Sequence, residues 1–120
     1  NAGFKQLSAI NVIQRKITDS VTTEIALFNI GEASFATHPG ETVPAMSFAT
    51  KELMKTNGPK FVMGLSMDAL GYILKPEFFD TSKKIPNSEY LCSMSVGPQT
   101  MQYIMQTVEA LCKEFYWPGM

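Results

Sequence analysis

The hydrophobic pattern of this chain predicts a small α/β (α+β) domain. It is a mixed sheet of about three to four strands with helices packed on it, in the order α-β-β-α-β-loop-α. Three observations carry that expectation. Residues 101–115 repeat apolar side chains with helical period. Two β-branched and aromatic stretches flank Gly31-Glu32. A punctuated helical segment separates the second of these stretches from a further apolar run.

Taken in order, Phe4, Leu7, Ile10, Ile13 and Ile17 fall three or four apart, which fits an amphipathic helix that Asp19-Ser20 breaks. "VTTEIALFNI" (21–30) has strand composition, with Ile25, Leu27 and Phe28 as the inward-facing side chains. Gly31-Glu32 matches the Gly-X loop of a type II′ hairpin, and "ASFATH" (33–38) is the returning strand, closed by Pro39-Gly40. Thr42 reads as the N-cap of the next helix and Pro44 sits in its first turn, where a missing N–H costs nothing. Met46, Ala49 and Leu53 share one face, and Asn57-Gly58 reads as the left-handed stop before Pro59. "KFVMGLS" (60–66) is expected to be a buried strand. A strand, a helix and a strand in that order imply a parallel pair. Residues 67–97 show little sustained period and read as a long loop, either functional or partly ordered by its neighbours. Pro98 then opens the last helix, whose apolar face is Met101, Ile104, Met105, Val108, Leu111, Cys112 and Phe115, ended by "FYWPGM".

The 120 residues suffice for one domain, expected over residues 3–120 with Asn1-Ala2 as a cloning remnant. A formal charge of −1 and no basic run longer than Lys83-Lys84 argue against nucleic acid as a partner and against a polybasic membrane patch. No apolar run approaches the ~20 residues that cross a bilayer. Cys92 and Cys112, far apart and without a flanking His, read as two small apolar core residues rather than a zinc knuckle or redox pair.

Few residues carry chemistry. His38 is the chain's one histidine, so no second imidazole exists to complete a metal site. There is no G-x-S-x-G elbow and no Gly-x-Gly phosphate fingerprint. Glu41, just after Pro39-Gly40, has two open roles. It can favour a helix N-terminus electrostatically, or a stiff turn can aim it over the sheet end as a ligand. Tyr72 is likewise open between a half-buried packing group and a phenol ligand. Asp68 and Ser66 are the nearby polar groups, each also suited to capping the loop. A small hydrolase built from Asp68, Glu41 and His38 would need those three to converge.

One ordered set of motifs goes further. "IALFNIGEASFATHPGE", "KFVMGLSMDALGYI", "PEFF", "SEY" and "VGPQT" followed by the last helix appear in that sequence over residues 21–115. Their order and spacing resemble the C-terminal part of the catalytic domain of the neutral/alkaline (non-lysosomal) ceramidases. The resemblance implies that Glu41 and Tyr72 are zinc ligands, joined in the family by two histidines from earlier in the domain. It implies hydrolysis of the amide bond of N-acyl sphingoid lipids by a zinc-bound water. It further implies a secreted, cell-surface or periplasmic location and an upstream part of the same protein as partner. The departures are specific. Both earlier histidines are missing from these residues, His38 replaces an apolar residue, and Met67-Asp68-Ala69-Leu70-Gly71 replaces the Asn-x-Tyr approach. Leu74-Lys75 stands where Thr-Thr often follows, and the family's active-site serine region would lie upstream. With two ligands of four, this chain is expected to bind no zinc tightly and to be inactive alone, as a fragment or a divergent branch. The competing expectation is a non-catalytic α/β interaction module, oligomerising through the exposed core of its Met- and Phe-rich sequence.

Overall fold

The structure, a computed structural model, describes residues 21–116. The expected helix over residues 4–17 and the 117–120 tail lie outside the described residues.

Strands β1 (Leu27–Ile30) and β2 (Ala33–Thr37) form an antiparallel hairpin in which Ile30 pairs with Ala33. That register leaves Gly31-Glu32 as a two-residue loop. Gly31 has φ of 60°, and Glu32 is not among the residues with positive φ, as the type II′ turn requires. β2 pairs in parallel with β4 (Lys60–Met63), so the three-stranded sheet runs β1-β2-β4 with β2 in the middle. The connection between them holds the two-residue strand β3 (Glu41–Thr42) and helix α1 (Pro44–Leu53). β3 pairs in parallel with β5 (Tyr72–Ile73) to make a second, two-stranded sheet. A 3₁₀ turn (Pro76–Phe79), helix α2 (Ser88–Ser93) and helix α3 (Thr100–Tyr116) follow. The mixed α/β class expected from the sequence is the class observed.

Strand alternation divides the main sheet into two unlike faces. Leu27, Ala36 and Val62 lie at matched register positions and face the core with α1 and α3. The core is Ala36, Met46, Met54, Ile73, Ile104, Val108 and Cys112, each at most 4% exposed. Ile104, Val108 and Cys112 recur every four residues, so one stripe of α3 supplies nearly half of it. On the opposite face Phe28, Phe35 and Phe61, also at matched positions, stack with centroids 5.0 Å apart at each step.

Several expectations need correction. Phe28 joins that opposite face because it neighbours Leu27 in an alternating strand. Regular strand begins only at Leu27, and β4 stops at Met63. β4 is an edge rather than a buried strand, with Phe61 46% exposed. The N-cap of α1 is Val43 and makes no side-chain cap bond, with Pro44 opening the helix. Thr42 sits in β3 instead, and its hydroxyl turns to His38. The helix ends at Leu53, where the Met54 N–H bonds the Lys51 and Thr50 carbonyls, so Asn57-Gly58 is not its stop. Gly58 is needed for another reason: a Cβ there would run into the Glu32 carbonyl. Residues 67–97 hold β5, the 3₁₀ turn and α2, which a weak apolar period conceals. On α3, Phe115 is 42% exposed, and Tyr116 packs against the core in its place.

Candidate functional site

The chain leaves β2 through His38, Pro39 and Gly40, all buried, and re-emerges at Glu41. Backbone bonds hold this turn on both sides. The His38 N–H donates to the Met63 carbonyl at 2.8 Å, while Ser66 and Leu65 donate to the His38 and Gly40 carbonyls at 3.1 and 3.0 Å. On the other side Leu70 donates to the Pro39 carbonyl at 2.9 Å, and Glu41 donates to the Gly71 carbonyl at 2.8 Å. Gly40 admits no side chain here, because a Cβ would lie 2.5 Å from the Gly71 oxygen and 2.8 Å from Ile73 Cδ1. The close approach of two backbones is what brings β3 against β5.

Glu41 and Tyr72 are direct register partners in that parallel pair. Matched positions in neighbouring strands share a sheet face, so the carboxylate and the phenol project from the same side. Their electrostatics agree with the register. The Glu41 charge is the largest cause holding the Tyr72 phenol above its ordinary range, followed by Tyr90 and by burial. Tyr90 stands edge-on to Tyr72, with ring centroids 6.1 Å apart and planes at 66°. Tyr72 is held from behind as well, its N–H donating to the Met94 carbonyl at 3.1 Å just past α2. The pair puts one carboxylate and one neutral phenol on the same side, two oxygen groups of the kind that can serve as metal donors. Among the described residues there is no group of three or more His, Cys, Asp or Glu that could hold a metal ion. The residues present therefore fit part of a donor set.

The other sequence candidates lie elsewhere. His38 is fully buried, with Nδ1 3.0 Å from Thr42 Oγ1 and Nε2 2.9 Å from Thr50 Oγ1. Desolvation lowers its pKa, so the ring is a neutral, hydrogen-bonded core group. Asp68 accepts from Thr23 Oγ1 at 2.9 Å and from the Ala69 N–H at 2.8 Å. Ser66 donates to the Gly64 carbonyl at 3.2 Å. The partners of Asp68 and His38 are thus loop and core groups, and no hydrogen bond joins Asp68, Glu41 and His38 into a hydrolytic set. Ser66 and Asp68 shape the approach to β5, where Leu65 and Met67 adopt φ of 51° and 67°. Such backbone is costly for non-glycine residues and is kept here by the bonds from the Pro39-Gly40 turn. Cys92 and Cys112 are free thiols, both raised in pKa by burial, which suits packing rather than nucleophilic work.

Tyr90 is the site neighbour that residue-level reasoning overlooks. Its motif, "SEY", carries no local signal of chemistry, and only the docking of α2 beside β5 brings it to Tyr72. Compared with known families, curated proteins and solved structures, the chain matches no family model, no curated protein and no solved structure.

Proposed function

We propose that this chain is the C-terminal part of the catalytic domain of a ceramidase-like zinc amidohydrolase acting on N-acyl sphingoid lipids, with Glu41 and Tyr72 as half of its metal ligands. The observation that supports this best is the direct pairing of Glu41 with Tyr72 on one face of the β3–β5 sheet. These are the two residues that the ceramidase-like motif order marks, and they are 31 positions apart in sequence. Zinc would supply a bound water of lowered pKa and stabilise the oxyanion that forms on the amide carbonyl. The chain's own part is to hold two oxygen donors at a fixed separation. Glu41 is aimed by the Pro39-Gly40 turn, and Tyr72 is aimed by its strand, with Tyr90 packed on its ring. The remaining donors would come from an upstream part of the same protein, and the described chain alone would be inactive.

The test is metal content. In the longer parent protein, Glu41→Ala and Tyr72→Phe should each lower retained zinc by about tenfold or more after dialysis, and hydrolysis of an N-acyl sphingosine should fall with it. Stoichiometric zinc in the Glu41→Ala protein would sink the assignment.

A second reading rests on a separate observation, the row Phe28, Phe35 and Phe61 on the sheet face away from the core, with Ile30 65% exposed beside it. As a non-catalytic interaction module, the chain would associate through this row. Light scattering that gives a monomer across a wide concentration range would remove that alternative.

A further inference from the structure

We infer that His38 is a positioning residue for Glu41: its neutral imidazole, held as the Nε2–H tautomer, ties the strand that carries Glu41 to the helices behind the sheet. The inference rests on the reading that Glu41 and Tyr72 form one site.

The direction of the hydrogen bonds follows from the last acceptor. Met105 Sδ has lone pairs and no proton to give, so Thr50 Oγ1 donates to it across 3.7 Å. With its single proton committed there, Thr50 Oγ1 accepts at its contact with His38, which places the ring proton on Nε2, 2.9 Å away. A neutral imidazole carries one proton, so Nδ1 is bare and accepts from the Thr42 hydroxyl across 3.0 Å. The result is a one-way chain from Thr42 through His38 and Thr50 to Met105. It joins β3, the end of β2, α1 and α3.

That tether matters because of where Thr42 sits. It is the neighbour of Glu41 in a strand of two residues, and so short a strand has little ladder to hold it. The Glu41 N–H bonds the Gly71 carbonyl, and a two-residue ladder pairs Glu41 with Tyr72 and Thr42 with Ile73; the Thr42 hydroxyl adds a separate side-chain anchor to His38. Glu41 is therefore aimed from outside by the turn and from inside by His38. Burial, which disfavours the imidazolium, keeps the chain of donors pointing one way.

Long-range ¹H–¹⁵N correlation spectra of the 120-residue chain test the tautomer, with Nδ1 expected as the bare nitrogen. Thr42→Val removes the hydroxyl while keeping the shape. It should weaken the cross-strand NOE contacts between residues 41 and 72 by about twofold or more, the population change expected from losing one ordinary hydrogen bond. Core NOE contacts should stay as they were. Thr50→Val should release the ring to a mixture of tautomers. His38→Gln, whose amide can still donate toward Thr50, should restore contacts that His38→Leu loses. An Nδ1–H tautomer in the wild type, or unchanged 41–72 contacts in Thr42→Val, overturns the inference, and the second result decides it even where His38→Leu does not fold. None of these readouts uses zinc, so loss of the metal assignment would leave them standing.

Discussion

The two faces of the three-stranded sheet are built from the same strands yet follow opposite rules. On the core side, Ala36 and the buried polar groups Ser34 and His38 sit under α1 and α3, and the polar ones have partners. Ser34 donates to Asn29 Oδ1 at 2.7 Å, and His38 meets two threonines. On the other side Phe28, Phe35 and Phe61 stack in a row, and Phe61 on the edge strand is 46% exposed. A single strand residue decides which regime applies, since successive side chains point to opposite faces. The lesson is that polarity alone does not locate the interior: the imidazole is buried, while a phenylalanine is half exposed. Hydrogen-bond satisfaction makes the first tolerable. The second is ordinary for an edge strand, where a large apolar side chain has a neighbouring strand on one side only.

Perturbing each face should sharpen this contrast. The largest effect is expected from Gly40→Ala, whose Cβ meets the Gly71 carbonyl and Ile73. Backbone cannot yield as a side-chain tip can, so about 3 kcal/mol of stability should be lost in urea unfolding. A loss below about 1 kcal/mol would mean that β3 and β5 are less tightly apposed than described.

Next comes Thr50→Val, which leaves His38 Nε2–H buried without its acceptor. The expected cost is about 1–3 kcal/mol, read from the same denaturation curve. An unchanged midpoint would show that water replaces the threonine.

The pH response follows with a defined sign. Folding lowers the His38 pKa below its usual 6.5, so near and below that pH the unfolded chain binds more protons than the folded one. Its contribution to stability is therefore full above about pH 6.5 and falls as pH drops from there toward the lowered folded value. The ring's hydrogen-bond partners are both threonine hydroxyls, so no carboxylate bonded to it offsets the imidazolium. In His38→Gln that slope below about pH 6.5 should disappear, and its persistence would assign it to other groups.

The smallest effect belongs to the back face. Phe61→Thr on the exposed edge strand should cost less than about 1 kcal/mol while reducing binding of an apolar dye. A cost comparable to Thr50→Val would show that the phenylalanine row is as structural as the core.

How much of this was legible beforehand differs by element. The β1–β2 hairpin was, because Gly31 alone supplies the positive φ its loop requires. So was the buried stripe of α3, where a four-residue repeat is long enough to see. The end of α1 was not. Asn57-Gly58 looked like a stop, but the helix had already closed through Met54, and Gly58 is occupied with the Glu32 backbone. Nor was α2, whose six residues contain no buried side chain and hence no stripe.

For the candidate site the division is similar. The Pro39-Gly40 bend and the residues Glu41 and Tyr72 could be singled out from the chain, since stiffness, charge and a phenol are local properties. That Glu41 faces Tyr72 in register, that Tyr90 leans on that phenol, and that His38 is spoken for by Thr42 and Thr50 are pairings between distant segments. Sequence by itself determined the mixed α/β class, the β1–β2 hairpin with its turn, and the order of α1, β4 and α3 after it, because propensity and periodicity act over a few residues. The tertiary structure decided which side chains meet, because closure of the sheet and docking of the helices bring together groups that no local pattern can pair.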